Sequence, residues 1–159
     1  MSKLQTLEIG SAGELLVQYK LLKCGINSAR LTTDSGIDLV MYLPNAKEAH
    51  TVQVKAVNGP GPAGGKGKPA LGWRFPHNCL AHWLALVDLS TDSAWLLTLD
   101  QARAQAQQHH PNDGRLIYWY VGEDGPPEAK RQSQMQPYRI EAVADGLLSG
   151  EPPVSAGNA

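Results

Sequence analysis

Two short runs set the pattern of the N-terminal half of the chain. Gly36-Ile37-Asp38-Leu39-Val40 and Thr51-Val52-Gln53-Val54-Lys55 are β-branched and apolar, with polar side chains set among them. Turn formers lie between them at Pro44-Asn45 and after them at Asn58-Gly59-Pro60, which predicts the two strands of one hairpin. Alternation in the second run sends Val52 and Val54 to one face and Gln53 and Lys55 to the other. Paired strands bring Asp38 close to Gln53 and Lys55. A carboxylate, an amide oxygen and an ammonium on one patch of sheet suit a hard divalent cation beside a transferring phosphoryl group.

The remaining pattern predicts a helix over residues 4–23 with Gly25 just past its end. Its apolar positions (Leu15, Leu16, Val17, Tyr19, Leu21 and Leu22) point nearly all round the wheel, the signature of a helix covered on more than one side. Glu14 in this helix admits two readings. With Ser11 it completes a capping box for a helix starting at Ala12, or it is a further carboxylate facing the hairpin. Residues 28–33 predict a first strand ending in a turn at Asp34-Ser35-Gly36, with Asp34 bonding nearby backbone. Residues 58–72, rich in Gly and Pro, read as a loop carrying Lys66 and Lys68. Trp73-Arg74-Phe75 reads either as the start of another strand, with its aromatic residues in the core, or as a platform beside the DNA, and Arg74 is a candidate phosphate contact.

Apolar runs at 80–89 and 94–99, joined by Ser90-Thr91-Asp92-Ser93, predict an antiparallel pair. Residues 101–108 predict a helix with His109-His110 at its end, where a cation suits the dipole. Residues 115–121 predict an aromatic strand, 123–136 a polar loop, and 138–148 a last helix. Residues 1–149 then form one domain and 150–159, poor in apolar side chains, a disordered tail. No histidine has partners at metal-ligand spacing. Trp95 and Trp119 are either core or an exposed seam.

Composition narrows the class. A chain of 159 residues with 42% hydrophobic and 18% charged residues fits one soluble α/β domain with a sizeable core. No apolar run reaches the roughly 18–20 residues of a membrane span, and the N-terminus lacks the apolar stretch of a signal peptide. These features predict a cytoplasmic protein with no membrane contact, in which Cys24 and Cys79 are free thiols. The net charge of −1 hides an asymmetry: nine Lys and Arg face five Asp and Glu through Cys79, against five and ten after it. The half with the hairpin is the basic half, as a phosphate-facing surface requires.

Asp38 followed by Gln53-Val54-Lys55, downstream of a helix that runs from Gly10 to Glu14 and beyond, resembles the PD-(D/E)xK nuclease superfamily. The nearest likeness is to small resolvase-like and restriction-type members with Gln in the third motif position, and it spans residues 10–99. Two positions depart from the pattern: Ile37 stands for the family's Pro and Gln53 for its acidic residue.

The resemblance implies a restriction-endonuclease-like α/β core, a mixed central sheet of five or six strands flanked by helices, with the first helix packed across it. It further implies a Mg²⁺-dependent DNA endonuclease, with Mn²⁺ as a substitute, acting as a homodimer on DNA. In that reading Asp38, Gln53, the Val54 carbonyl and Glu14 hold metal, and Lys55 orients the attacking water. Lys66, Lys68 and Arg74 face the DNA. The alternative is a nuclease fold without catalysis that binds nucleic acid or a protein partner.

Overall fold

The computed structural model describes residues 3–32, 36–44, 46–110 and 114–153. Helix α1 spans Thr6–Lys23, and strands β1 (Asn27–Arg30), β2 (Leu39–Tyr42) and β3 (His50–Val57) follow as an antiparallel meander. After a short β4 (Gly61–Pro62) and a 3-10 turn at Ala63–Gly65 come β5 (Pro69–Phe75), β6 (Trp83–Asp88) and β7 (Ser93–Thr98). Helix α2 (Leu99–Gln105), β8 (Gln108–His110), β9 (Gly114–Tyr120), a 3-10 segment at Gln132–Tyr138 and helix α3 (Ile140–Ser149) complete the chain.

The first sheet has the order β1-β2-β3-β6-β7 and is mixed, because β3 and β6 run parallel while its other neighbours are antiparallel. This is the expected α/β architecture, a mixed central sheet flanked by helices. Alternation on β3 is as the sequence predicts. Val52 and Val54 join Val17 and Leu21 of α1 in one core, which α3 also enters through Ile140 and Ala144. Gly13 brings α1 onto β3 so closely that a Cβ there would lie 2.5 Å from the Ala56 Cβ.

A second sheet, β4-β5-β9-β8, packs on the other face and was not foreseen. Between the sheets lies a second core in which Trp73, Trp95 and Trp119 meet edge to face, with ring centroids 5.0–5.8 Å apart. Trp95 and Trp119 are fully buried, so neither forms an exposed seam. The turn between β6 and β7 is built by Asp88, whose carboxylate accepts from Ser90 N–H, Ser90 Oγ and Thr91 Oγ1.

Several local expectations are corrected. The Gly/Pro-rich stretch 58–72 is no plain loop: it contains β4, and its last four residues begin β5, which is held by the aromatic strand β9. Helix α1 begins at Thr6, with Glu8 rather than Glu14 closing its first turn by accepting the Gln5 N–H at 2.7 Å. It is covered on one side only, leaving Leu7, Leu15, Tyr19 and Leu22 exposed. Residues 108–110 form an edge strand, so His109-His110 does not end a helix. At the C-terminus Gly150 closes α3 in the left-handed conformation and Glu151 N–H reaches Gly146 O. Thr33, Asp34, Ser35, Asn45 and residues 154–159 of the expected tail lie outside the described residues.

Candidate functional site

Strand β2 parts from β3 where Leu39 faces Val52, and Asp38 stands at the parting. Its N–H donates to Val52 O and its carbonyl accepts from Leu31 N–H, both at 2.9 Å, so its backbone is tied to both neighbouring strands. Its carboxylate takes the place of the next ladder rung: Oδ2 accepts the Val54 N–H at 2.6 Å. A strand residue that turns its N–H to one edge turns its carbonyl to the same edge. The Val54 carbonyl therefore opens beside the Asp38 carboxylate, past the end of the β2 ladder.

Lys55 follows immediately and projects from the face that also carries Gln53 and Val57. It is half-buried and makes no ion pair or hydrogen bond with another described residue. Gln53 is only 4% exposed. Its Oε1 accepts from the Cys79 thiol at 3.2 Å. Its Nε2 lies by Gly36, where a Cβ would stand 3.6 Å away. Gly36 has φ +74° and begins the turn into Asp38, so the carboxamide bridges the thiol and the turn that delivers the carboxylate.

Glu14 is committed elsewhere: its Oε2 accepts from Arg30 Nε at 3.0 Å and Nη2 at 2.7 Å. Arg30 faces Leu39 across the ladder, which puts this ion pair one strand away from Asp38, with the carboxylate charge balanced by the guanidinium. The structure thus gathers Asp38, Gln53, Val54 and Lys55 at the middle of β3, where its pairing with β2 ends, and leaves Glu14 on the α1 face of the sheet, opposite Gln53 and Lys55. Among the described residues no group of three or more His, Cys, Asp or Glu side chains is placed to hold a metal ion. Any cation here would draw on one carboxylate with carbonyl and amide oxygens, a set compatible with Mg²⁺, which keeps several waters.

Two further clusters escaped the sequence reading. Arg30 and Cys79 partner Glu14 and Gln53 from 16 and 26 positions away, and nothing in local periodicity marks them. At the start of β3, His50 Nδ1 accepts the Trp83 indole N–H at 2.9 Å, and the His82 ring lies 5.3 Å away. Burial holds the His50 pKa below its usual value, and the charge of His82 adds to the shift against an opposing pull from Glu48.

Beyond Lys55 the molecule opens into a groove of about 640 Å³. Its floor is the outer face of the second sheet and its far wall is the β4 loop. Arg74 lies on this floor, while Lys66 and Lys68 stand exposed on the loop.

No protein-family model matches this chain, and no curated protein matches it. Among solved structures it is similar to a bacterial homing endonuclease, I-Ssp6803I, with a TM-score of 0.61 and 15% sequence identity over 92% of this chain and 93% of that one. At that identity the likeness is one of fold, and it extends over nearly the whole chain.

Proposed function

We propose that this protein is a metal-dependent DNA endonuclease that hydrolyses phosphodiester bonds at the Asp38–Lys55 edge of β3. The observation that carries the reading is the Asp38 carboxylate seated on the Val54 N–H where the ladder ends, next to an unpaired Lys55, in a fold shared with a homing endonuclease. Asp38 and the Val54 carbonyl would hold Mg²⁺, with the Gln53 amide oxygen added once it turns from Cys79. The bound ion supplies charge stabilisation for the phosphate oxygens and lowers the pKa of nearby water. Lys55 orients the attacking water and offsets the negative charge that grows on the phosphate as the new P–O bond forms. The P–O bond to the leaving oxygen breaks in line with that attack; the attacking water gives up a proton to solvent, and the leaving oxygen takes one up from solvent. Lys66 and Lys68 neutralise flanking phosphates.

One observation favours a second reading, a nuclease fold that binds DNA without cutting it. Gln53 is neutral and occupied by Cys79, and Glu14 is balanced by Arg30, which leaves Asp38 as the principal anionic ligand. Incubation with duplex, branched and single-stranded DNA, with and without Mg²⁺ or Mn²⁺, separates the two. Metal-dependent strand cleavage is the expected result. Binding of DNA with neither cleavage nor a metal-induced rise in melting temperature would establish the second reading, because a cation that binds the native state must stabilise it.

A further inference from the structure

The outer face of the second sheet has a relief that its core packing does not require. Leu71, Trp73 and Phe75 of β5, with Ile117 and Trp119 of β9, point inward. The alternate positions line the groove. Across the ladder Gly72 faces Tyr118 and Ala70 faces Tyr120, so small residues on one strand oppose phenol rings on the next. The result is a trough with an aromatic wall rather than a level sheet.

Both tyrosines are held in place. The Gln107 side chain pairs with Tyr118 as a strand would, accepting its N–H at 3.1 Å and donating to its carbonyl at 2.8 Å. Tyr120 is packed by Gly125, where a Cβ would fall 3.1 Å from the ring. The rings contact each other edge to face at 6.1 Å. Charge has one sign: among the described residues Arg74 lines the groove and no carboxylate does, and the far wall carries Lys66 and Lys68 nearby. The near wall includes Val57, two residues beyond Lys55 on the same face of β3, roughly 7 Å along the strand.

We propose that this groove takes an unpaired stretch of the DNA substrate, with bases stacked on Tyr118 and Tyr120 and a phosphate on Arg74, and leads that strand to Lys55. The choice of DNA as the polymer rests on the nuclease reading above. The choice of an unpaired strand rests on the groove. Bases within a duplex hide their faces in the stack, whereas aromatic platforms with flanking cations hold single strands. The volume also lies within the range of about 300–1,000 Å³ typical of pockets for small groups.

The test is fluorescence anisotropy in chelator, with a labelled thymidine oligonucleotide and a blunt duplex of equal length, and cleavage in Mg²⁺ run in parallel. Arg74→Ala and the double variant Tyr118→Ala/Tyr120→Ala should each weaken single-strand binding by about tenfold, and Tyr118→Phe/Tyr120→Phe should keep it. A 5-iodouracil oligonucleotide should photo-crosslink within Gly114–Tyr120. If the alanine double variant does not fold, exposed Arg74 and the crosslink decide. Wild-type affinity in Arg74→Ala together with crosslinks confined elsewhere would overturn the groove, and cleavage by the wild type would then leave the nuclease reading standing. Groove-dependent binding without cleavage in any metal would do the reverse.

Discussion

The two sheets solve different problems with the same backbone pattern. The first is covered on one face by α1 and α3 and on the other by the second sheet, so its central strands bury most of their side chains. Its candidate site is confined to an edge, where β2 departs and the Asp38 carboxylate fills the vacant rung. The second sheet is covered on one face only, and its other face is free to carry tyrosines and an arginine. A closed sheet places a few groups accurately, whereas an open one offers area. Under the function proposed above, cutting one bond in a long polymer draws on both.

Breaking the closed side should have the largest effect. Asp38→Asn keeps an oxygen for the Val54 N–H, and Lys55 has no pair among the described residues to lose, so both Asp38→Asn and Lys55→Ala should fold normally. Each should lower metal-dependent cleavage by about a hundredfold or more while retaining most DNA affinity. Cleavage at the wild-type rate in either variant sinks the site assignment.

Two glycines sharpen the contrast in stability. Helix propensity alone favours Gly13→Ala by about 1 kcal/mol. The 2.5 Å approach to Ala56 should reverse that sign and cost about 1–3 kcal/mol, measured by denaturant unfolding. At Gly72 a Cβ meets the Tyr118 Cβ at an ordinary 3.6 Å, so Gly72→Ala should be neutral or gain about 0.5 kcal/mol. Equal losses at both positions would show that the open face is packed as tightly as the closed one.

Gln53→Glu probes the join between the two regions. A carboxylate in this buried place, facing the Cys79 thiol, should lose about 1–3 kcal/mol in chelator. In excess Mg²⁺ the catalytic reading expects the loss to be recovered and metal to bind more tightly than in the wild type, followed by calorimetric titration and melting. A deficit unchanged by metal points to binding without catalysis. The smallest effect belongs to the loop: Lys66→Ala with Lys68→Ala should flatten the salt dependence of duplex binding by about 0.9 in slope per lost phosphate contact. An identical slope would leave the loop outside the interface.

What the sequence by itself determined is local and periodic. Val52 and Val54 alternate with Gln53 and Lys55, the turn formers bracket them, and the structure has the strands, the antiparallel pairing and the buried face that this pattern requires. The antiparallel pair β6 and β7 was legible for the same reason. The stretch 58–72 was not, because its Gly and Pro content argues against regular structure, and only pairing with β9 makes residues 69–75 a strand. Helix α1 shows the converse: its apolar wheel suggests cover on more than one side, yet one side alone found a partner within the chain. The Arg30 partner of Glu14, the Cys79 partner of Gln53 and the groove on the second sheet all arise where distant segments meet. Periodicity is a property of neighbours along the chain and fixes which way a side chain points. What it points at depends on long-range packing, which tertiary structure alone decides.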